Sequence, residues 1–183
     1  LIARMEPENN VEMILDGFHA STVDKKFLVI GKPNSPFGKH LVKKYQKDER
    51  VCFLGGMFNQ EVVHSLRVHT ALYFHGHSVG GTNPSLLEAM ASGTLIAAHD
   101  NVFNKAVLGE EAFYFTDSRG VKTLVEQRPC NHTKNDFTRK NKEKIKELYN
   151  WETIISRYEE FLIQCYQSAK RENYYQPKRY AYK

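Results

Sequence analysis

Short apolar runs recur along the chain with longer mixed segments between them. Phe27-Leu28-Val29-Ile30, Val51-Cys52-Phe53-Leu54, Ala71-Leu72-Tyr73-Phe74, Thr94-Leu95-Ile96-Ala97-Ala98 and Ala112-Phe113-Tyr114-Phe115 read as strands. They alternate little between apolar and polar, as strands covered on both faces do. Between them, apolar residues take helical spacing. Val11, Ile14, Leu15 and Phe18 fall at i, i+3, i+4 and i+7, one face of a helix. Val62, Val63 and Leu66 repeat this spacing, as do Leu86, Leu87 and Met90. Strand–helix alternation at a spacing of roughly 20–25 residues predicts an α/β fold, an open parallel sheet with helices on both faces.

The pattern changes after the last strand. Gln127 to Asp136 (QRPCNHTKND) reads as a polar loop around Pro129. Beyond it, Ile145, Leu148, Trp151, Ile154, Ile155, Tyr158, Leu162, Cys165 and Ala169 keep helical spacing over one or two long helices. Asn150 is a suitable cap for the second. The expected organisation is therefore a sheet domain over 1–128, C-terminal helices over 129–169 and a tail over 170–183. The helices are expected to pack on the sheet domain or to cross to another one. The chain opens on Leu1-Ile2-Ala3-Arg4, mid-strand by character and without an initiator Met, so the expectation is a fragment.

Composition adds bounds. With 183 residues, 41% hydrophobic and 26% charged, the chain suits one compact body rather than disorder. No apolar run approaches the ~20 residues of a membrane span, and no signal peptide is visible. Cys52, Cys130 and Cys165 are too scattered for a disulfide framework or a metal pair. These features point to the cytoplasm. The net charge of +5 is uneven: from Gln164 to Lys183 there are five basic residues against one acid. The sheet domain is thus close to neutral, and nucleic acid is not an expected partner. The tail, with Tyr174, Tyr175, Tyr180 and Tyr182 among its basic residues, is a candidate contact with the inner membrane surface or with another domain, an unstructured end being the plainer alternative. Asn131-His132-Thr133 matches a glycosylation sequon, taken here as chance.

Ligands of open parallel sheets bind outside the carboxyl ends of the strands. The richest loop there follows Tyr73-Phe74 and runs from His75 to Met90. Asn83 is a favoured N-cap and Pro84 a favoured first helical residue. Pro84 lacks an N–H, so the expected free donors are the Ser85 and Leu86 N–H groups and the Ser85 hydroxyl. Gly80 and Gly81, followed by Thr82, let the backbone approach a ligand. A glycine-bearing loop feeding a helix start is an anion site, most often for phosphate. Glu88, a turn further in, would repel a phosphate it faced and better suits sugar hydroxyls beside it. The plainer alternative is a helix cap, a tight turn and a solvated Glu. Arg4 lies within reach of the same edge and matches a diphosphate bidentately; a surface arginine is the alternative. Ser35-Pro36 repeats the cap-plus-proline start, and Gly55-Gly56-Met57-Phe58 offers a close backbone approach and, in Phe58, a ring to stack on a base. His75 and His77 lack the company of metal ligands and read as structural or hydrogen-bonding groups. P-loop and dinucleotide fingerprints are missing, as is a D-x-D pair.

Residues Gly80 to Gly93 (GGTNPSLLEAMASG), with Thr94 to Ala97, resemble the donor-binding segment of the family 4 retaining glycosyltransferases, E-G-F-G-L-P-L-L-E-A-M-A-x-G-x-P-V-I-A. Leu1 to Asn10 resembles that family's G-R-L-x-P-E-K-G opening, Val51 to Leu66 its V-x-F-L-G-x-V strand and helix, and Asn150-Trp151-Glu152 its late tryptophan helix. The resemblance implies a Rossmann-like domain, the C-terminal half of a GT-B fold, that binds a nucleotide-sugar donor without a metal or further cofactor. An N-terminal domain would bind a saccharide or lipid-linked saccharide acceptor. By the same resemblance Glu88 holds ribose or deoxyribose hydroxyls, and the Asn83–Leu86 helix start and Arg4 hold the diphosphate. Arg4 then stabilises the leaving group. The sequence departs from the family at three places. Gly80 stands where the first Glu of E-x7-E belongs, Asn9 where a lysine partners the arginine, and Gly76-His77 where Pro-Ser is usual; Gly80 and Asn9 are still expected at the ligand. The His-Gly-His-x-x-Gly-Gly-Thr-Asn-Pro-Ser wording resembles a bacterial branch that transfers rhamnose from dTDP-rhamnose during surface-polysaccharide synthesis; UDP-sugars are the other donor class. The fragment alone is expected to be inactive. A non-catalytic nucleotide-binding module is the alternative function.

Overall fold

The structure, a computed structural model, describes residues 1–127 and 131–172. A 3-10 turn over Pro7–Asn9 leads into α1 (Val11–His19), β1 (Phe27–Ile30), α2 (Pro36–Tyr45), β2 (Val51–Gly55), α3 (Gln60–His69), β3 (Tyr73–His75) and α4 (Pro84–Ser92). Then follow β4 (Ile96–His99), α5 (Val102–Leu108), β5 (Phe113–Phe115), α6 (Ser118–Glu126), α7 (Asn131–Leu148) and α8 (Trp151–Glu172). Leu1–Ile145 forms one compact unit, and a second begins at Lys146. Pro129, Cys130 and the tail from residue 173 onward lie outside the described residues, as do the side chains of Asn131 and His132 in the sequon.

All strand pairs are parallel, as the alternation predicts. β1 pairs with β2, and β3, β4 and β5 pair in that order. The opening segment contributes a single bridge, Ile2 to Ile30, rather than a full strand, so these pairings form two ladders instead of one. β3 starts two residues later than its apolar run: the Thr70 N–H closes the end of α3 on Arg67 O, its hydroxyl bonds Leu72 O, and the chain bends at Ala71.

Phe74 and Ala97 point into the main core with α1, α2 and α6, where the Phe27 ring packs tilted between Phe18 and Phe74 at 4.9 and 5.6 Å. Tyr73, His75, Ile96 and Ala98 alternate with them and are buried too, so the sheet is covered on both faces. The expected face of α1 is fully buried. In α3 the inward stripe is turned by one residue. Val62 is 43% exposed, and the buried positions are Val63 and, four residues on, Arg67.

The stretch of α7 up to Ile145 belongs with the sheet: buried Asn141 donates to Glu111 O, and Lys144 bonds Leu108 O and the Glu111 carboxylate. In the second unit Asn150 caps α8 as expected, its Oδ1 accepting from Thr153 N at 2.8 Å. Among the described residues no helix is long and apolar enough to cross a membrane.

Candidate functional site

The carboxyl ends of β3 and β4 and the segment before α1 are tied into one edge. Ser78 donates to Glu8 O through both its N–H (3.0 Å) and its hydroxyl (2.8 Å), and Asn10 Nδ2 donates to Gly76 O at 2.8 Å. On the other side, Asn101 and Asn104 donate to His77 O at 2.9 and 3.0 Å. The loop that carries the sequence motif is therefore clamped between the chain opening and the start of α5. This edge brings Arg4 close enough for its charge to act on His77. Arg4 itself is exposed, and its side chain has no partner among the described residues.

Asn9 is not a ligand-facing residue. It is almost fully buried, and its Nδ2 donates to Arg4 O at 2.7 Å. A shorter polar side chain has folded inward, where a long lysine would reach out. It shapes the turn that carries Arg4.

The helix start also differs from expectation. Asn83 Oδ1 accepts from Ser85 N at 2.9 Å, and Asn83 O accepts from Leu86 N at 3.0 Å. The Ser85 hydroxyl bonds the Tyr73 hydroxyl at 2.8 Å. The two N–H groups expected to be free are thus engaged, the Ser85 hydroxyl oxygen is bonded to Tyr73, and Leu86 is buried. Asn83 closes this end as a good N-cap does, by reaching back over its own first turn. Just before it, the backbone N–H groups of Gly80, Gly81 and Thr82 have no partner among the described residues. Gly80 has φ +95°, and nothing stands within 4 Å of where a Cβ would sit on Gly80 or Gly81. This open stretch of amides, backed by the positive end of α4, is where an anion can be received. Pro84 and Thr82 are exposed beside it.

Phe58 stands in the loop after β2, 75% exposed, with Lys32 Nζ 5.0 Å above its ring. Gly55 before it has φ +69°. Ser35 caps α2 as expected, accepting from Gly38 N at 3.0 Å, and ties the helix to the chain opening through Met5 O at 2.9 Å.

His75 and His77 lie parallel, with centroids 4.5 Å apart and planes 12° apart. Burial pushes His75 down to about 3 and lowers His77, so both are neutral at physiological pH. Both ring nitrogens of His75 and Nδ1 of His77 are buried without a hydrogen-bond partner. Among the described residues no group of three His, Cys, Asp or Glu could hold a metal. The unfolded chain takes up a proton at His75 near the ordinary 6.5, whereas the folded one resists until about 3. Stability is therefore complete above 6.5 and falls as pH falls. Moving from pH 7 to 5 is expected to cost about 2 kcal/mol through this group. Urea denaturation at both pH values measures it. A His75→Phe variant with the same acid loss would speak against the assignment.

The sequence reading did not single out Arg67. It is 5% exposed, and its Nη2 donates to Glu88 Oε2 at 2.5 Å and Ser85 Oγ at 3.4 Å. Its place four residues after Val63, on one helical face, was the available signal. Its partner, 21 residues further on, had none.

The family model described as glycosyl transferases group 1 matches residues 1–128. Among solved structures, HepE of Anabaena, determined with UDP and glucose, is similar over 89% of this chain and 47% of its own, at 16% identity and TM-score 0.73. The C-terminal domain of LpcC, a group 1 family glycosyl transferase of Francisella tularensis, is similar over 82% of this chain and 85% of its own, at 15% identity and TM-score 0.68. Sucrose-phosphate synthase of Thermosynechococcus elongatus matches 91% of this chain and 46% of its own, at 18% identity and TM-score 0.71. At these identities the likeness is one of fold. The chain spans about half the length of the HepE and sucrose-phosphate synthase chains. No curated protein sequence matches it.

Proposed function

The chain belongs to the group 1 glycosyl transferases, and from that membership we propose that it forms the nucleotide-sugar-binding half of a GT-B enzyme that transfers a sugar with retention at the anomeric carbon. The observation that carries this reading is the clamped edge: a cation, Arg4, close to His77 of a loop whose Gly80, Gly81 and Thr82 amides, like the Arg4 side chain, have no partner among the described residues. Glycosyl transfer is limited by departure of a nucleoside diphosphate that gains negative charge. Fixed donors and a guanidinium aimed at that charge stabilise the transition state. The Gly80–Thr82 amides and Arg4 have this role, and Glu88 accepts from the ribose hydroxyls. Phe58 supplies an exposed ring for the base. HepE was solved with UDP, which makes UDP the first nucleotide to test.

The donor sugar is proposed to be a 6-deoxyhexose such as the rhamnose of dTDP-rhamnose. Gly80 removes the family's sugar-facing carboxylate, and His77 of the same loop is held neutral by burial. A sugar with one hydroxyl fewer suits that less polar surface. A saccharide acceptor would be held by the other half of the protein.

Isothermal titration of the complete protein with UDP and dTDP tests the site, with micromolar binding of at least one expected. Absence of heat with both would remove the nucleotide site. Turnover of UDP- and dTDP-sugars then separates a transferase from a binding module: a protein that binds but never turns over is the latter.

A further inference from the structure

We propose that Arg67 is the positioning residue for Glu88, fixing one carboxylate oxygen from inside the fold and cancelling the acid's charge beside the anion site. This rests on the nucleotide site proposed above. Helix α3 is largely solvated, yet its Arg67 is 5% exposed. A guanidinium taken out of water needs charged or polar partners. Its partners lie 21 and 18 residues further on, on the first turns of α4: Glu88 Oε2 and Ser85 Oγ. Tyr73, buried below, holds Ser85 Oγ at 2.8 Å and closes the group.

The pair is asymmetric. The Arg67 side chain is sealed, whereas that of Glu88 is 50% exposed. One acid oxygen is bound inward, and the rest of the carboxylate meets solvent. An ionised carboxylate only accepts hydrogen bonds, so its outward part suits donors such as the hydroxyls of a ribose. Its charge would otherwise oppose a diphosphate received just before the same helix. With the guanidinium behind it, acid and diphosphate can share one helix start. Arg67 Nε, buried without a partner, gains nothing from this placement; the benefit falls to Glu88.

The test compares UDP with 2′,3′-dideoxy-UDP, or dTDP with its 3′-deoxy counterpart, by calorimetry on the complete protein. The wild type is expected to prefer the hydroxylated ligand about tenfold or more. Arg67→Gln and Glu88→Ala should each reduce that ratio to within about twofold, and Arg67→Lys should leave it intermediate. The lysine variant, which keeps the charge, carries the test if the glutamine one fails to fold. A full ratio in either folded Arg67 variant, or in Glu88→Ala, overturns the proposal. Failure of every nucleotide to bind the wild type instead removes the site itself.

Discussion

Replacing Gly76 by alanine is expected to destabilise the protein by about 3 kcal/mol or more and to weaken nucleotide binding with it. A Cβ on Gly76 would stand 2.1 Å from Asn9 O and 2.8 Å from Ile14 Cδ1. The first is backbone, fixed by the turn before α1, and the second belongs to a fully buried core residue. Neither can give way cheaply. Relief would require the loop to part from the chain opening, breaking the Asn10–Gly76 and Ser78–Glu8 bonds that set the distance from Arg4 to the amide stretch. Gly81→Ala is the contrast. It has open space around its Cβ position and no positive φ, so stability should hold within about 0.5 kcal/mol. Urea denaturation of both variants beside wild type makes the comparison. Equal midpoints would show that the edge is not clamped as described.

Arg4→Ala is expected to lower kcat roughly 30- to 150-fold, the loss of about 2–3 kcal/mol of transition-state stabilisation. Arg4 is exposed and has no partner among the described residues, so its removal is expected to leave the fold intact and the effect to fall on the chemical step. The charge it meets grows as the diphosphate departs, so kcat should fall more than KM rises. Arg4→Lys should recover part of the rate, since it restores charge but not the planar fork. Steady-state kinetics of the complete protein measures all three, and turnover unchanged in the alanine variant would take Arg4 out of the site.

Much of this arrangement is legible in the residues. The apolar runs gave strands within two residues of their final positions, because strands buried on both faces admit little else. Asn83-Pro84, Ser35-Pro36 and Asn150-Trp151 marked helix starts that exist, since capping is a local matter settled within three or four residues. The site was legible as a place rather than as a set of contacts. The β3–α4 loop was found from its glycines and cap, yet the donors assigned to it were those Asn83 and Tyr73 occupy. Asn9, expected at the ligand, turned inward to serve the turn below Arg4. In α3 the buried stripe runs through Val63 and Arg67, whereas the apolar count had included Val62, which is exposed.

The sequence by itself determined the order and kind of the elements, the parallel pairing they impose and the loop in which chemistry can sit. These follow from periodicity, turn chemistry and burial, which act over short spans of chain. Only the tertiary structure decided which polar groups are spent on one another and which are left for a ligand. Glu88 meets Arg67, Ser78 meets Glu8 and Tyr73 meets Ser85. The first two pairs join residues far apart in the chain, and in the third a β3 side chain reaches the start of the next helix. A hydrogen bond is decided by distance in space, which no local pattern records, and at this edge those bonds separate the residues that build the site from those that remain free to act in it.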